Sequence, residues 1–228
     1  MKICNYGITL NRLRQEDIEF VREKRNSEEV RRYMEFREEI TPEMQQKWFD
    51  SINNFENFYY LIEYKGNKIG LLNDKNMDWK ARTSESGLFL WDESYIDTMI
   101  PVLASLCLLD VGFYYLDWNT SYIKVLRGNI KAVDYVSSLG YTISEGQENY
   151  ENQLYYLTRK LFETKGKKIQ KAARAFTDET TGEGYLLLEP FDYESGLAQK
   201  IETYFIETGI YLHRKGVAGS RMYYREKA

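Results

Sequence analysis

The segment Tyr95–Leu116 constrains the fold of this chain most strongly, because it is apolar over most of its length. A helix of this composition is apolar on more than one face, so it has to lie inside a core instead of along a surface. Pro101 would belong to the first turns of that helix, where the missing N–H of proline removes no hydrogen bond. The sequence therefore predicts a long buried helix at this point of the chain.

No stretch of the chain reaches the about 18 uninterrupted apolar residues that would span a bilayer. The first residues also lack the apolar run of a secretory signal. We therefore expect no membrane association and a cytoplasmic location. Apolar residues make up 43% of the chain and charged residues 29%, a balance that is typical of a folded protein and not of a disordered one.

The composition excludes several classes of functional site. Cys4 and Cys107 are the two cysteines, and their positions support neither a disulfide framework nor a thiolate metal site. His213 is the single histidine, which excludes a multi-histidine metal cage and leaves a Ser-His-Asp triad only one candidate base. The 31 basic and 35 acidic residues give a net charge of −4, so no general field gathers nucleic acid. We expect no metal and no nucleic-acid partner.

Periodic patterns of apolar residues predict a mixed α/β chain. Phe58–Tyr64 and Lys68–Asn73 are β-rich runs separated by a short turn with glycine, which indicates an antiparallel hairpin. Glu85–Trp91 is a further apolar strand, and Asn129–Leu139 has the pattern of a helix. The order in the first 161 residues is β-α-α-β-β-β-α-β-α-β-β, which predicts a mostly antiparallel sheet of about seven strands flanked by about four helices. We expect the sheet to splay after Glu85–Trp91.

The character of the chain changes near residue 165. A basic run without acidic residues is followed by a turn-rich stretch at 177–184. The remaining residues predict a β-α-β-β unit of roughly 45 residues, whose own core would be marginal. We therefore divide the chain into a main domain at 1–164, a basic and solvated linker at 165–176, and a C-terminal unit at 177–228. This unit is expected to pack on the main domain or to form a homodimer with a second copy.

Five sequence blocks carry a resemblance to a known family. They are Ile8–Asp17 (ITLNRLRQED), Arg25–Met34 (RNSEEVRRYM), Ile40–Phe49 (ITPEMQQKWF), Lys68-Ile69-Gly70 and Asn129–Tyr141 (NIKAVDYVSSLGY). With these blocks, residues 1–162 resemble the GNAT N-acetyltransferase superfamily, especially the branch of ribosomal-protein and amino-sugar N-acetyltransferases. The resemblance rests on the order and spacing of the blocks, since no single block is specific.

The resemblance implies that acetyl-CoA, as cosubstrate, binds where two central strands separate. Its pantetheine would pair with the fourth strand, and its pyrophosphate would sit on the amides of the following helix, as anions do at helix N-termini. The family carries glycines in this loop, whereas Asp92–Met99 has no glycine and contains three carboxylates. The residues that the resemblance places at acetyl-CoA are Leu88, Phe89, Leu90, Ile96, Asp97, Thr98, Met99 and Asn129.

Three further residues are candidates for proton transfer and acceptor binding. Glu85 is a candidate general base for the substrate ammonium, with an exposed strand-end carboxylate as the alternative. Arg25 and Asn26 are candidates for binding an anionic group of the acceptor, because guanidinium forks suit phosphate, with a solvated helix face as the alternative.

The remaining candidates have equally plain structural alternatives. Aromatic side chains either line an acceptor cleft or belong to the core. Asn129 either contacts CoA or caps a helix. Many relatives have a tyrosine that acts as the general acid. The residue at that position here is Val136, and Tyr135 comes one residue earlier, about 100° round the helix. The aromatic candidates are Trp48, Tyr59, Tyr60 and Trp91.

These observations predict an acetyl-CoA-dependent N-acetyltransferase that acts on a primary amine. The resemblance favours the amine of a nucleotide-linked amino sugar as the acceptor, and a protein N-terminus is an alternative acceptor. A different alternative is a GNAT-fold binding or assembly protein that has lost CoA binding and catalysis, which the missing glycines of Asp92–Met99 favour.

Overall fold

The computed structural model describes residues 1–31, 38–177 and 184–225. Residues 32–34 of the second sequence block, and most of the turn predicted at 177–184, lie outside these ranges. The strands are β1 (Lys2–Asn5), β2 (Ile8–Arg12), β3 (Phe58–Tyr64), β4 (Asn67–Asp78), β5 (Thr83–Leu90), β6 (Thr120–Leu126), β7 (Thr142–Ile143), β8 (Asn152–Thr158), β9 (Tyr185–Leu188), β10 (His213–Val217) and β11 (Ser220–Tyr224). The helices are α1 (Ile18–Asn26), α2 (Glu28–Arg31), α3 (Pro42–Ile52), α4 (Ile100–Tyr114), α5 (Ile130–Ser138), α6 (Arg159–Thr164), α7 (Lys167–Phe176), α8 (Pro190–Glu194) and α9 (Leu197–Thr208).

All strands of the described ranges belong to one sheet, in the order β10-β11-β9-β1-β2-β3-β4-β5-β6-β8-β7. Neighbouring strands are antiparallel except for β5 and β6, which are parallel. This confirms the predicted mixed α/β fold with a mostly antiparallel sheet. The sheet has more strands than the sequence predicted, because the C-terminal strands extend it instead of forming a sheet of their own.

The two faces of the sheet carry separate cores, since successive side chains of a strand point to opposite faces. Helices α1 and α3 cover one face, which we call the α1 face, over a small core that includes Val21, Phe49, Leu61 and Leu71. Helices α4 and α9 pack over the larger core of the other face, which we call the α4 face. The α1 face and the α4 face of the sheet therefore present different side chains.

Helix α4 is buried almost all the way round, as its composition predicted. Every residue from Ile100 to Phe113 except Asp110 is buried, and the proline lies in the first turn. Gly112 is required by a close approach, because a Cβ at this position would lie 2.7 Å from Cδ1 of Trp118. Among the described residues, no helix combines the length and the apolar character needed to cross a membrane.

The parallel strands β5 and β6 form a fork. They pair over only four residues each, and the last pair is Ser86 with Ile123. Beyond this pair, β5 continues beside β4 as far as Leu90, and β6 continues beside β8 as far as Leu126. The predicted splay is therefore present, but it begins after Ser86, within the segment Glu85–Trp91 and not after it.

The C-terminal residues pack on the rest of the chain. Strand β9 pairs with β1, and Leu186 and Leu188 belong to the same core as α4. The Tyr204 hydroxyl of α9 donates a hydrogen bond of 2.8 Å to the carbonyl of Leu116, two residues after the end of α4. These contacts place the C-terminal residues against the main domain, which is one of the two arrangements that the sequence left open. The preceding basic run forms helix α7, in which Lys167, Lys168 and Lys171 are exposed.

Candidate functional site

The fork encloses a small cavity on the α4 face. Its walls come from both strands and from two helices, because Ser86, Gly87 and Leu88 of β5 and Ile123 of β6 meet Ser105 of α4 and Tyr135 of α5. Residue 87 is a glycine in tight surroundings, since a Cβ there would lie 2.9 Å from Oδ1 of Asn73. The cavity therefore opens on the stretch of β5 whose backbone pairs with no strand on the β6 side within the described residues.

The strand residues predicted for the pantetheine divide between the two faces. Leu88 and Leu90 pack against the core of the α4 face, and both are half-buried. Phe89 points to the α1 face, where its ring centroid lies 5.8 Å from that of Trp91. The side chains of Leu88–Leu90 thus line the fork from both faces, while their backbone forms its edge.

The loop before α4 is stabilised by its own side chains. Oδ1 of Asp92 accepts hydrogen bonds from the amide of Ser94 at 3.1 Å and from its hydroxyl at 2.6 Å. The Thr98 hydroxyl donates to the Tyr95 carbonyl at 2.7 Å and accepts from the Ile100 amide at 3.2 Å. The loop therefore uses side-chain oxygens to bond amides that a glycine-rich loop would present to an anion.

Asp97 pairs with a cation that the sequence analysis missed. Nζ of Lys131, in the first turn of α5, lies 2.8 and 2.9 Å from the two carboxylate oxygens of Asp97. Both side chains are about three-quarters exposed, at 75% and 74%, so the pair contributes little to stability. Its importance is positional, because it joins the loop before α4 to the start of α5. The neighbouring Ile96 is exposed and Met99 is half-buried.

Asn129 has the helix-capping arrangement that was the alternative to CoA contact. Its Oδ1 accepts a hydrogen bond of 3.1 Å from the Ala132 amide, at the start of α5. Asparagine is among the best residues for this role. The contact with CoA stays a prediction, and the cap places Asn129 on the same helix turn as Lys131.

Glu85 lies within β5 on the α1 face and is largely buried. Its carboxylate forms an ion pair of 3.0 Å with Lys75 and accepts a hydrogen bond of 3.3 Å from Nδ2 of Asn76. Its side chain is 17% exposed, so Glu85 is not the exposed strand-end carboxylate that was the structural alternative. It stands one residue before the last pair of the fork and faces away from Ser86.

Arg25 brings a positive charge beside the aromatic side chains of the α1 face. Its guanidinium carbon lies 5.6 Å from the ring centroid of Trp48, which in turn packs edge-on against Tyr59 at 5.2 Å. Burial lowers the pKa of Arg25, and its buried Nε has no hydrogen-bond partner. No ion pair to Arg25 exists among the side chains that the structure describes. Arg25, Trp48 and Tyr59 therefore form a charged and aromatic wall on the same face as Glu85.

The other predicted acceptor residues do not join this wall. Asn26 holds the Ile40 backbone with both atoms of its amide, at 2.8 and 2.9 Å. Trp91 donates from Nε1 to the Lys68 carbonyl at 2.7 Å. Tyr60 lies on the α4 face and is 2% exposed, and burial raises its pKa. The side chain of Tyr59, one residue earlier along β3, points to the α1 face instead.

The site also contains polar groups on the α4 face that sequence reasoning missed. Asp74 of β4 accepts hydrogen bonds from the hydroxyls of Ser84 and Ser86. The Tyr135 hydroxyl contacts the Ser105 hydroxyl and donates to the Pro101 carbonyl at 3.2 Å, so Tyr135 points into the fork. Val136 is 1% exposed and belongs to the core. The useful signal would have been the polar first half of β5, which contains Ser84, Glu85 and Ser86, before the apolar residues Leu88–Leu90.

No group of three or more histidine, cysteine, aspartate or glutamate side chains in the described ranges has an arrangement that could hold a metal ion. The cavity of the fork is lined by leucine and isoleucine side chains together with the hydroxyl groups of Ser86, Ser105, Tyr135 and Tyr141. Hydroxyl groups can both donate and accept hydrogen bonds.

Comparison with known proteins agrees with this geometry. A family model described as an acetyltransferase (GNAT) domain matches residues 8–142. Among solved structures, apo FdhC, a nucleotide-linked sugar GNAT, superposes with a TM-score of 0.63 at 21% identity, covering 76% of this chain and 97% of its own. Spermidine N-acetyltransferase from Vibrio cholerae in complex with CoA and spermine superposes with a TM-score of 0.59 at 18% identity, covering 70% of this chain and 100% of its own.

No curated protein sequence is similar enough to this chain to be matched to it. The family model spans more than half of the chain and includes the fork, the loop before α4 and helix α5. The resemblance seen in the sequence is thereby confirmed, and the chain belongs to the GNAT acetyltransferase family.

Proposed function

We propose that this protein transfers an acetyl group from acetyl-CoA to a primary amine, and that the amine belongs to a nucleotide-linked amino sugar. The observation that carries the proposal is the fork, in which β5 and β6 separate after Ser86 and Ile123. An unpaired strand edge is a template on which an extended ligand with amide groups can pair. Pantetheine is such a ligand, and Leu88–Leu90 offer it their backbone.

The loop before α4 and the start of α5 would hold the phosphates of acetyl-CoA. Lys131 lies where the two meet and supplies a positive charge, while Asp97 opposes an anion there. When bound, acetyl-CoA supplies an acyl group on a good leaving group. The chain itself has to orient the amine, remove its proton and exclude competing water.

Glu85 is the proposed general base. Its carboxylate lies on the α1 face beside the end of strand pairing, with Lys75 at 3.0 Å holding its position. An ammonium that approaches the fork from this face meets a negative charge, and transfer of its proton leaves the neutral amine that can attack. The acceptor would thus enter from the α1 face, and acetyl-CoA would lie along the fork.

Arg25 supports an anionic acceptor. A half-buried guanidinium without a carboxylate partner in the described part of the chain favours a ligand that brings its own negative charge, such as a diphosphate. Trp48 and Tyr59 beside it suit a flat or apolar ring. A nucleotide-linked sugar has these features, and a polyamine such as spermidine, which the Vibrio cholerae relative acetylates, brings only positive charge.

The proposal is tested by acetyl-transfer assays with a nucleotide-linked amino sugar, spermidine and a peptide N-terminus as acceptors. We expect the sugar to be preferred. Arg25→Gln should raise its KM about tenfold or more, since a hydrogen bond to a charged group contributes about 1.5–3 kcal/mol. Lys24→Gln removes the same charge one residue away, where Nζ lies over the Phe20 ring, and should leave KM unchanged. Equal effects of the two variants would contradict the proposed role of Arg25.

A second candidate is a GNAT-fold binding or assembly protein without catalysis. The observation that favours it is the loop at Asp92–Met99, where Asp92 and Thr98 bond the amides of the loop themselves. Calorimetric titration with acetyl-CoA separates the two candidates. Absence of binding at millimolar ligand would favour the second candidate, and saturable binding would favour the enzyme.

A further inference from the structure

Asp74 is a buried carboxylate without a compensating cation in the described part of the chain. It is 5% exposed, and its Oδ1 accepts hydrogen bonds from the hydroxyl groups of Ser84 at 3.2 Å and Ser86 at 2.6 Å. Removing a carboxylate from water costs several kcal/mol unless other groups compensate. Two hydroxyls compensate incompletely, and the fold does not need a charge here, because apolar side chains would fill the same face.

The hydrogen bonds of Asp74 continue as a directed chain. The hydroxyls of Ser86 and Ser121 lie 2.9 Å apart, and those of Ser121 and Tyr141 lie 2.8 Å apart. An ionised carboxylate only accepts, so Ser86 donates to Asp74 and then accepts from Ser121, which accepts from Tyr141. Within this hydrogen-bond chain, every hydroxyl proton therefore points toward Asp74, and each hydroxyl can pass a proton to it.

The hydrogen-bond chain reaches the point at which β5 and β6 separate. Ser86 is the last residue of β5 that pairs with β6, and it lines the cavity of the fork, whereas Ser84 does not line it. Glu85 stands between the two serines and faces the other side of the sheet. The end of strand pairing thus carries a carboxylate on the α1 face and a hydroxyl joined to a second carboxylate on the α4 face.

We propose that Asp74 and Ser86 form a proton shuttle for acyl transfer, which rests on the proposed function. Glu85 takes one proton from the ammonium and releases it to water. As the new C–N bond forms, the remaining excess N–H proton passes to Oγ of Ser86, and the Ser86 hydroxyl proton passes to Oδ1 of Asp74.

The shuttle then runs in reverse. The C–S bond breaks with its electron pair on sulfur, Asp74 returns its proton to Ser86, and Ser86 gives its own proton to the thiolate. The products are an amide, a thiol and the one proton released through Glu85, and both members of the shuttle recover their starting state. The shuttle therefore needs no further co-reactant.

The acid strength of Asp74 suits a transient proton carrier. Burial raises its pKa to about 6, against the opposing effect of the two serine hydrogen bonds. The carboxylate is then ionised at neutral pH and can accept, yet it holds a proton more firmly than an ordinary aspartate. The titratable groups that influence it on this face are Tyr60 of β3 and Tyr141, whose pKa values burial raises, while Lys75 and Glu85 lie on the opposite face.

Ser86→Ala and Ser84→Ala form a matched pair that tests the shuttle. Each variant removes one hydroxyl that donates to Oδ1 of Asp74, but only Ser86 lines the cavity. We expect Ser86→Ala to lower kcat about 100-fold, as loss of a proton-transfer group does. The KM values for acetyl-CoA and for the amine should change little. Ser84→Ala should stay within about threefold of the wild type, because it removes no group of the shuttle.

Two further measurements separate a shuttle from a structural role. The decrease of kcat in Ser86→Ala should be smaller with acetyl thioesters of more acidic thiols, because their thiolates leave without protonation. Asp74→Asn should lower kcat by a similar factor and remove the limb of the pH–rate profile near pH 6 that reports ionisation of Asp74. Its thermal unfolding is compared with that of the wild type, and the serine pair decides the question if Asp74→Asn fails to fold.

A readout without turnover completes the test. Infrared titration of the carboxyl groups, with Asp74→Asn as the reference, should show a group with a pKa near 6 in the wild type. This pKa should rise in both serine variants, because each loses a hydrogen bond to the ionised form. Equal kcat in Ser86→Ala and Ser84→Ala, in an active wild type, would overturn the shuttle alone. A wild type that acetylates no amine in the acceptor panel would overturn the proposed function and the shuttle with it.

Discussion

The strands around β1 and the strands of the fork pair in opposite ways. Strand β1 pairs with β2 through four residues and with β9 through three, which closes the sheet between the two ends of the chain. Strands β5 and β6 pair through four residues and then separate, although each continues beside its outer neighbour. We call the first region, β9 with β1 and β2, the closed seam. The closed seam pairs β1 on both edges, whereas the fork leaves parts of β5 and β6 without a strand partner on the facing edge in the described residues.

Each region contains an aspartate, buried at the fork and half-buried at the closed seam, and the comparison shows what a raised pKa alone does not decide. Asp110 at the closed seam and Asp74 at the fork both have their pKa raised to about 6 by burial. Asp110 accepts hydrogen bonds from Nδ2 of Asn5 at 3.0 Å and from the Tyr6 hydroxyl at 2.7 Å, which tie α4 to the turn after β1. Asp74 bonds hydroxyls that lead to a cavity. The partners, and not the pKa, distinguish a structural carboxylate from a proposed catalytic one.

Removal of the residues after Phe176 should break the closed seam and have the largest effect. It uncovers β1 and takes away Leu186, Leu188, Ile201 and Phe205, which are all buried. Each such side chain contributes about 1.5–3 kcal/mol when buried, and a whole domain is stable by only about 5–15 kcal/mol. We expect an aggregated or unfolded product in size-exclusion chromatography and thermal unfolding.

The control for this deletion is Ile206→Ser on α9. Ile206 is 81% exposed, so the substitution should change the free energy of unfolding by no more than about 0.5 kcal/mol. A shortened chain that stayed soluble and as stable as the full chain would show that the closed seam does not stabilise the main domain.

Glu85→Gln addresses the fork without touching the seam. The variant keeps the shape of the side chain and removes the proposed base, so kcat should fall about 100-fold, within the range of general base catalysis. Steady-state kinetics across pH measures the loss, and thermal unfolding should stay close to that of the wild type. A kcat within a factor of two of the wild type would exclude Glu85 as the base.

Asp110→Asn sharpens the comparison between the two aspartates. The amide keeps one acceptor oxygen but weakens the bonds from Asn5 and Tyr6, so we expect a loss of about 1–2 kcal/mol in the free energy of unfolding, measured in urea. Because the folded-state pKa is raised, protonation favours the folded state. The part of stability that Asp110 controls should fall as pH rises through about 6, and the variant should lack this dependence. Its kcat should be unchanged, in contrast to Asp74→Asn.

The sequence predicted what depends on local patterns. Helix α4 was evident from a long apolar segment, the β3–β4 hairpin from two β-rich runs around a glycine turn, and the N-cap at Asn129 from residue type. Strand β1 was missed, because four residues with Lys2 and Asn5 give no alternation to read. Its pairing with β9 joins the two ends of the chain, a contact that no local pattern encodes.

The candidate site at the fork was also only partly predictable from the sequence. The order of the strands predicted the fork itself, although the strands separate after Ser86, earlier than the predicted end of Glu85–Trp91. Which of Tyr59 and Tyr60 points to the α1 face, the proposed acceptor side, depends on the phase of the strand. Strand β3 is apolar on both faces, so its sequence pattern does not reveal the phase. The pair Lys131 with Asp97 and the bond of Ser86 to Asp74 join separate elements. Such contacts follow from the fold and cannot be read from spacing along the chain.

The smallest expected effect concerns acetyl-CoA affinity and the carboxylate of Asp97. This group lies in the loop proposed to hold the pyrophosphate and pairs with Nζ of Lys131 at 2.8 Å. Asp97→Gly removes a like charge and a Cβ from the approach of the phosphates, and it removes the carboxylate that competes with them for Lys131. Charge effects at an exposed helix end amount to about 0.3–1 kcal/mol, so Kd for acetyl-CoA should fall about two- to fivefold.

Calorimetry with three variants measures this effect and separates its causes. Asp97→Asn keeps the Cβ and removes the charge, so it should reproduce most of the gain if charge is the cause and little of it if steric approach is the cause. Lys131→Gln should weaken binding, and added salt should reduce the difference between the variants, because exposed charges are screened over about 8–10 Å. Affinity that is unchanged or weaker in both Asp97 variants would mean that the phosphates bind elsewhere. The fork would then hold pantetheine without help from the loop before α4, and Lys131→Gln should leave affinity unchanged as well.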